Sequence, residues 1–308
     1  MKSYTTGRNL YGILTKNTAT ANLTFGDEIA NDDYRALCAL HDWPWLERLR
    51  TLSTVADTAN VALPYDCDLV REVAVIVSDT RHTPDLAPDQ KFWDKLNESS
   101  VSSDIPEYYY IFDGDVYLWP TPSTAGNTIN ITQKTRVIDL SVADYTTGTI
   151  TTATNGSAAI VGSGTSWTSQ MVGRYIRITY INTANTGDGL WYEIAGVTDA
   201  THLTLTRVYG GTSIAAGSAL YTIGQMYLLP ESFHDLPWIW AAGQYWSKES
   251  DSRGADLLAI HGNIGSGSNP STGRVKILEK SYLSNTTNLV IDDGGEDEIQ
   301  NPNLTISI

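Results

Sequence analysis

An Asp-Gly pair set between two aromatic, β-branched runs constrains this chain more than any other feature. In PEYYYIFDGDVYLWPTPSTAGNTINITQKTRVIDLS, residues 106–141, the pair is Asp113-Gly114. A two-residue type I′ hairpin turn needs φ > 0 at both central positions, and Asp-Gly supplies that at low steric cost. A third run, residues 128–138, alternates apolar and polar and is expected to close a three-stranded antiparallel meander.

The texture changes after residue 145. From 146 to 228 the chain is rich in Thr, Gly, Ser, Ala and Ile and contains no Lys. Arg174, Arg177 and Arg207 balance Asp188, Glu193 and Asp199, so the formal net charge of −15 lies outside this stretch. Strand patterns recur at 158–162, 175–180, 190–195, 202–206 and 219–223, separated by Gly and Asn turns. Short strands at regular spacing predict a small barrel or sandwich. At Leu229-Pro230 the first texture returns, which makes the stretch an insertion into one discontinuous unit.

The outer unit carries helical signals. Asp27 reads as an N-cap, followed by Ile29, Tyr34, Leu37, Cys38 and Leu40 along one face. Residues 1–25 read as polar and structureless, and Leu46-Glu47-Arg48-Leu49 as one further helical turn after Pro44. Residues 69–77 read as a buried strand and 88–96 as a short helix. Residues 231–248 predict a helix that is kinked or restarts at Pro237, with Asp235 as cap. Residues 255–260 extend the helical texture, and 274–283 form a basic helix after the Gly/Ser loop GNIGSGSNPSTG. The reading is therefore α+β: a helical core with a small antiparallel β-meander, interrupted by an inserted all-β barrel or sandwich module. Its boundaries are 1–145 plus 227–285 for the core, 146–226 for the insert and 286–308 for an extended acidic tail.

The 308 residues include only 20 Lys and Arg against 35 Asp and Glu. That balance argues against tight sequence-independent DNA binding, which needs cations against phosphates, but leaves room for DNA to pass nearby without sticking. Tyr (17) and Trp (9) outnumber Phe (4), a bias toward aromatics with a polar tip that suit half-wet contacts. Cys38 and Cys67 read as buried thiols in a reducing compartment. The N-terminus has no apolar signal segment and no run is long enough to span a bilayer.

Little in the chain points to catalysis. The five histidines lack partners at metal-ligand spacing. Gly262 to Gly273 lacks the Gly-Lys-Ser/Thr ending of a phosphate loop and reads as a linker, and no G-x-S-x-G elbow is present. No metal, cofactor or catalytic residue is therefore assigned.

The order of elements carries a resemblance. A helix with Asn31 and Arg35 leads to Trp43-Pro44-Trp45. Leu63-Pro64-Tyr65-Asp66, an apolar strand, Phe92-Trp93, the meander ending at Val137-Ile138-Asp139-Leu140, and a returning helix at Pro230-Glu231-Ser232-Phe233 follow. This resembles the head-to-tail adaptor (connector) proteins of tailed bacteriophages, including the tail tubular protein A of short-tailed phages. The resemblance implies a structural virion protein made in the host cytoplasm, with no active site. It further implies a ring, twelve subunits in such adaptors, joining the portal protein to a tail nozzle or tail-tube protein, with DNA passing through unbound. The inserted module and Pro237 depart from the compact adaptor pattern.

Two expectations concern the tail. Leu289, Val290, Ile291, Leu304, Ile306 and Ile308 are candidates for docking on the portal by strand addition or groove filling. Asp292, Asp293, Glu296, Asp297 and Glu298, a third of the net charge, are candidates for an acidic channel wall that repels DNA. The competing readings are another ring of the same tail, a virion-associated cell-wall hydrolase, or a glycan-binding module.

Overall fold

The computed structural model describes residues 2–98, 101–179, 187–215, 217–265 and 270–283. The chain begins with helices α1 (Tyr4–Thr15) and α2 (Thr20–Ala39), then a 3-10 turn at Pro44–Leu46. Strands β1 (Glu47–Ser53), β2 (Asn60–Ala62), β3 (Cys67–Val77), β4 (Thr80–His82) and β5 (Asp85–Leu86) follow, then α3 (Gln90–Leu96). The hairpin is β6 (Tyr108–Phe112) and β7 (Asp115–Trp119), and β8 (Thr128–Thr135) completes this part. Next come β9 (Thr149–Ala153), β10 (Ala159–Ser163), β11 (Tyr175–Ile178), β12 (Trp191–Asp199), β13 (His202–Leu205) and β14 (Tyr221–Gly224). The chain returns as α4 (Leu236–Lys248), α5 (Arg253–His261) and α6 (Gly273–Leu283).

The fold is α+β as expected, with an all-β module interrupting the frame. That module is a six-stranded antiparallel sheet in the order β14-β11-β12-β13-β10-β9. It curls into a half-barrel whose edges approach through isolated bridges, Ile150 to Ala219 and Ala153 to Ile214. Its core contains Ile150, Ile160, Ile176, Ile194, Leu203 and Ile223, all nearly inaccessible. Trp167 also lies in this core, its indole N–H donating to the Tyr221 hydroxyl at 2.9 Å. Trp191 does not: it is half-buried, with the Arg177 guanidinium 4.8 Å from its ring centre.

The hairpin forms with Asp113 at φ 50° and Gly114 at φ 80°, the double positive φ that the residue pair required. The third run behaves differently from expectation. β8 does not pair with β7. It lies between β1 and β3 in the sheet β1-β8-β3-β4, while the hairpin belongs to β2-β7-β6-β5. The eight-residue connection 120–127, with Pro120 and Pro122, is longer than a tight hairpin loop and carries the chain across. The two sheets share one core, with Val73, Val75, Ile129 and Ile131 against Tyr109, Val116 and Leu118. The run after Pro44 likewise enters strand β1, because pairing with β8 across seven residues outweighs local helical preference.

Residues 1–25 are also more ordered than their polarity implied. The Ser3 hydroxyl caps α1 by accepting from the Thr6 N–H at 3.3 Å, and α2 starts seven residues before Asp27. Asp27 is an interior residue whose carboxylate pairs with Arg8 at 3.0 Å. The reason is tertiary. Gly7 and Gly26, poor helix formers, let large rings sit directly on the helix backbones: Trp238 on Gly7 and Tyr11 on Gly26. The helical core thus joins Tyr4, Tyr11, Tyr34 and Leu37 to Leu236, Trp238, Ala241 and Ala242 of α4. The predicted restart at Pro237 occurs, with a 3-10 turn at Glu231–Phe233 preceding α4.

Helix α2 grips the chain both where it leaves the frame and where it returns. Asn31 makes paired bonds to the buried Leu140 backbone, donating to its carbonyl and accepting from its N–H, each at 3.0 Å. One turn along, the Tyr34 hydroxyl accepts from the Leu228 N–H at 3.0 Å. Gln225 joins the two crossings by accepting from the N–H groups of Ser141 and Val142 at 2.8 and 3.0 Å. The N-terminus is tied to the same place, with Tyr4 N–H donating to the Gln225 carbonyl at 2.8 Å and Ser3 Oγ to Asp144 at 2.6 Å.

Two outcomes follow from this packing. Asn31→Leu fills the same space but orphans two buried backbone groups, each worth about 1–3 kcal/mol. Urea unfolding is expected to show a loss of about 2–5 kcal/mol. In Gly7→Ala the new Cβ would lie 2.0 Å from Trp238 Nε1. The helix-propensity gain of about 1 kcal/mol is outweighed by an overpacking cost of about 1–3 kcal/mol. The melting temperature is expected to fall, whereas the same change at an exposed helical glycine would raise it.

Candidate functional site

Where the half-barrel meets the frame, the side chains of β1, β8, β11 and β12 converge on a cleft of about 270 Å³. Strand alternation determines which residues face it. In β1 the side chains of Arg48, Arg50 and Leu52 are the more buried set and Glu47, Leu49 and Thr51 the exposed one. In β8 the strict alternation that buries Ile129 and Ile131 also buries Gln133 and Thr135, putting two polar groups at the end of an apolar face.

Asp66 organises these polar groups. It is 5% exposed, accepts from Gln133 Nε2 at 3.0 Å and from Arg50 Nε at 3.2 Å, and pairs with Arg50 Nη2 as well. From the module side Glu193 of β12 accepts from Arg48 Nη1 at 3.3 Å and lies 3.8 Å from Arg50 Nη2. Arg50 therefore binds one carboxylate from each side of the junction. Burial, then the charge of Glu193, raises the Tyr175 hydroxyl above its ordinary value.

Two further arginines line the cleft without carboxylate partners among the described residues. Arg136 is exposed and donates to the Cys67 carbonyl at 3.2 Å. Arg174 is half-buried, and its desolvation lowers its affinity for a proton, although a guanidinium remains charged at any physiological pH. Four guanidinium groups thus face two carboxylates, a positive surplus in a chain of net −15. Burial raises the cleft's tyrosines, Tyr34, Tyr65 and Tyr175, above their ordinary value.

A second surface is aromatic. The hairpin buries Tyr109, Val116 and Leu118 on one face and presents Tyr108, Tyr110, Phe112, Tyr117 and Trp119 on the other. Helix α3 covers part of that face, Trp93 stacking on Tyr110 with ring centres 5.6 Å apart and Phe92 meeting Tyr108 edge-on at 5.2 Å. Phe112 remains 57% exposed.

Leu289, Val290, Ile291, Asp292, Asp293, Glu296, Asp297, Glu298, Leu304, Ile306 and Ile308 all lie outside the described residues. The histidines are dispersed. His261 is fully buried against Asp33 at 3.0 Å, and His41 reaches Glu279 at 3.1 Å. No group of three or more His, Cys, Asp or Glu is placed to hold a metal ion among the described residues. Both cysteines are buried free thiols. The ends of the Gly/Ser loop are clasped together: Gly262 and Gly273 have positive φ, and a Cβ at Gly262 would meet the Thr272 carbonyl at 1.9 Å. The arginine cleft went unforeseen because its residues are far apart in sequence. The one available signal was the alternation of Arg48 and Arg50 within a strand.

A protein-family model described as SU10 adaptor protein matches residues 17–155, just under half of the chain. The match runs from the start of α2 through both four-stranded sheets and ends just past the first strand of the half-barrel. No curated protein matches the chain. The family similarity supports a phage adaptor, a structural component of the virion. It covers Asn31, Asp66 and three of the cleft arginines, Arg48, Arg50 and Arg136.

Asp66→Ala is expected to cost about 3–5 kcal/mol in urea unfolding, because it strands the fully buried Gln133 amide and removes the closest partner of Arg50. The exposed pair Arg81–Glu72 is the control, and Glu72→Ala is expected to change stability by no more than about 1 kcal/mol.

Proposed function

We propose that this chain is the subunit of a head-to-tail adaptor ring, seated between a phage portal and the tail and forming part of the passage for DNA ejection. The observation that carries the reading is the adaptor-family match across α2 and the two sheets. In this reading residues 1–145 and 227–285 form the ring-building core. Residues 146–226 are an inserted domain, and 286–308 are a tail that reaches a neighbouring protein. The grip of α2 on both chain crossings supports the division. An insert held at two adjacent points can be added to a frame without redirecting it.

Charge supports the passage role. Polyanionic DNA gains nothing by adhering to a ring with so large an acidic surplus, and non-specific binding needs the cations this chain lacks. Among the described residues no helix is long and apolar enough to cross a membrane. The alternating apolar end Leu304, Ile306 and Ile308 provides the portal-docking strand.

The experiment is assembly with the portal. Electron microscopy of the purified chain mixed with portal rings is expected to show an added ring of matching symmetry. Removing residues 304–308 is expected to abolish that complex with no change in the urea midpoint of the subunit. A chain that stays monomeric beside the portal, or a truncated chain that still docks, would count against the adaptor ring and the docking strand respectively.

A further inference from the structure

Among the described residues the arginine cleft has two more cations than carboxylates, and the sequence beyond them is rich in acids. Among the described residues the only carboxylates facing Arg48, Arg50, Arg136 and Arg174 are Asp66 and Glu193. Every cation lining the cleft is an arginine, the side chain whose planar fork takes carboxylates two bonds at a time. The segment 292–298 has five carboxylates, and no Lys or Arg follows Lys280.

The place where the described chain ends sets the reach. In α6 the ring of Tyr282 meets Trp45 edge-on, ring centres 4.8 Å apart. Trp45 precedes Arg48 by three residues, about 10 Å along an extended backbone. Eight residues, 284–291, separate Leu283 from Asp292 and can span at most about 28 Å. The acidic segment of a subunit therefore starts within reach of that subunit's own cleft.

We infer that the cleft between the frame and the half-barrel is the seat of the chain's own acidic segment, Asp292 to Glu298. The segment completes the ion network that Asp66 and Glu193 begin, and it fixes the direction in which the last residues leave the subunit. It also gives the five acids a partner other than a channel wall. The inference rests on the cleft and the charge pattern and holds whether or not the chain builds an adaptor ring.

The test uses the full chain and hydrogen exchange read over peptides that contain residues 48–50 and 172–175. One variant carries Asp292→Asn, Asp293→Asn, Glu296→Gln, Asp297→Asn and Glu298→Gln. In the unmodified chain exchange at the cleft is expected to be slower by on the order of tenfold than in this variant. The difference is expected to vanish in 1 M NaCl, where the screening length is about 3 Å. Arg136→Glu with Arg174→Glu is expected to lose the protection, and converting the five tail acids to Lys in that background is expected to restore it. A cleft that was merely damaged would not be rescued. Equal exchange in the unmodified and neutralised chains would overturn the inference. Protection that rises with protein concentration would overturn it too, by assigning the cleft to a neighbouring copy's segment. So would a tail-independent protection by inorganic phosphate or a short oligonucleotide.

Discussion

The architecture depends on one helix holding two distant pieces of chain side by side. Asn31 and Tyr34, one turn apart on α2, hold Leu140 on the way out and Leu228 on the way back. Between those contacts the chain builds an independent core centred on Ile150, Ile160 and Ile194. Only after the return does α4 cover the helical core, placing Trp238 on the backbone of Gly7. The N-terminal helices are thus incomplete until the last third of the chain arrives. Closing so long a loop costs entropy that grows only slowly with its length, so the size of the insert adds little to the cost once the two anchors exist.

The anchors and the arginine cleft work on different terms. Asn31 and Tyr34 satisfy backbone groups in a dry setting, where an unmade hydrogen bond costs its full desolvation. The ion network sits at the rim of the same junction, where water still reaches. A fully exposed pair is worth no more than about 1 kcal/mol, and Asp66 exceeds that because it is buried and also holds the Gln133 amide. The hydrogen bonds therefore fix the position of the half-barrel, and the charges bias how the cleft side is filled. Arg50 is the residue where the two meet, since it holds frame Asp66 and module Glu193 together.

Legibility in the sequence followed the range of the interactions. The hairpin was readable because its turn needs two positive φ values and Asp113-Gly114 is one of few pairs that supplies them. Five of the six half-barrel strands were readable as short runs between Gly and Asn turns, and β10, β11 and β13 do bury alternate side chains, whereas β9 (Thr149–Ala153) was not among the expected strands. Three further features were not readable. Helix α1 carries glycine where its partner lies more than 200 residues away, so local propensity argued against it. Strand β8 has the right alternation for either sheet, and only its connection and its partners decide between them. The cleft draws its arginines from β1, from the end of β8 and from the approach to β11, and no local pattern reports that convergence.

That division bears on the family similarity as well. The matched stretch, 17–155, contains the readable hairpin, but it also contains the less readable α2 grip and the Asp66 cluster. It omits α4, the helix on which the packing of α1 and α2 depends. A frame whose first half needs its second half to cover it cannot be a free-standing unit at residue 155. The apolar faces of Tyr4, Tyr11 and Tyr34 would otherwise lie open to water, and each such ring loses a large buried area when uncovered. The matched region and the returning helices must therefore act as one body.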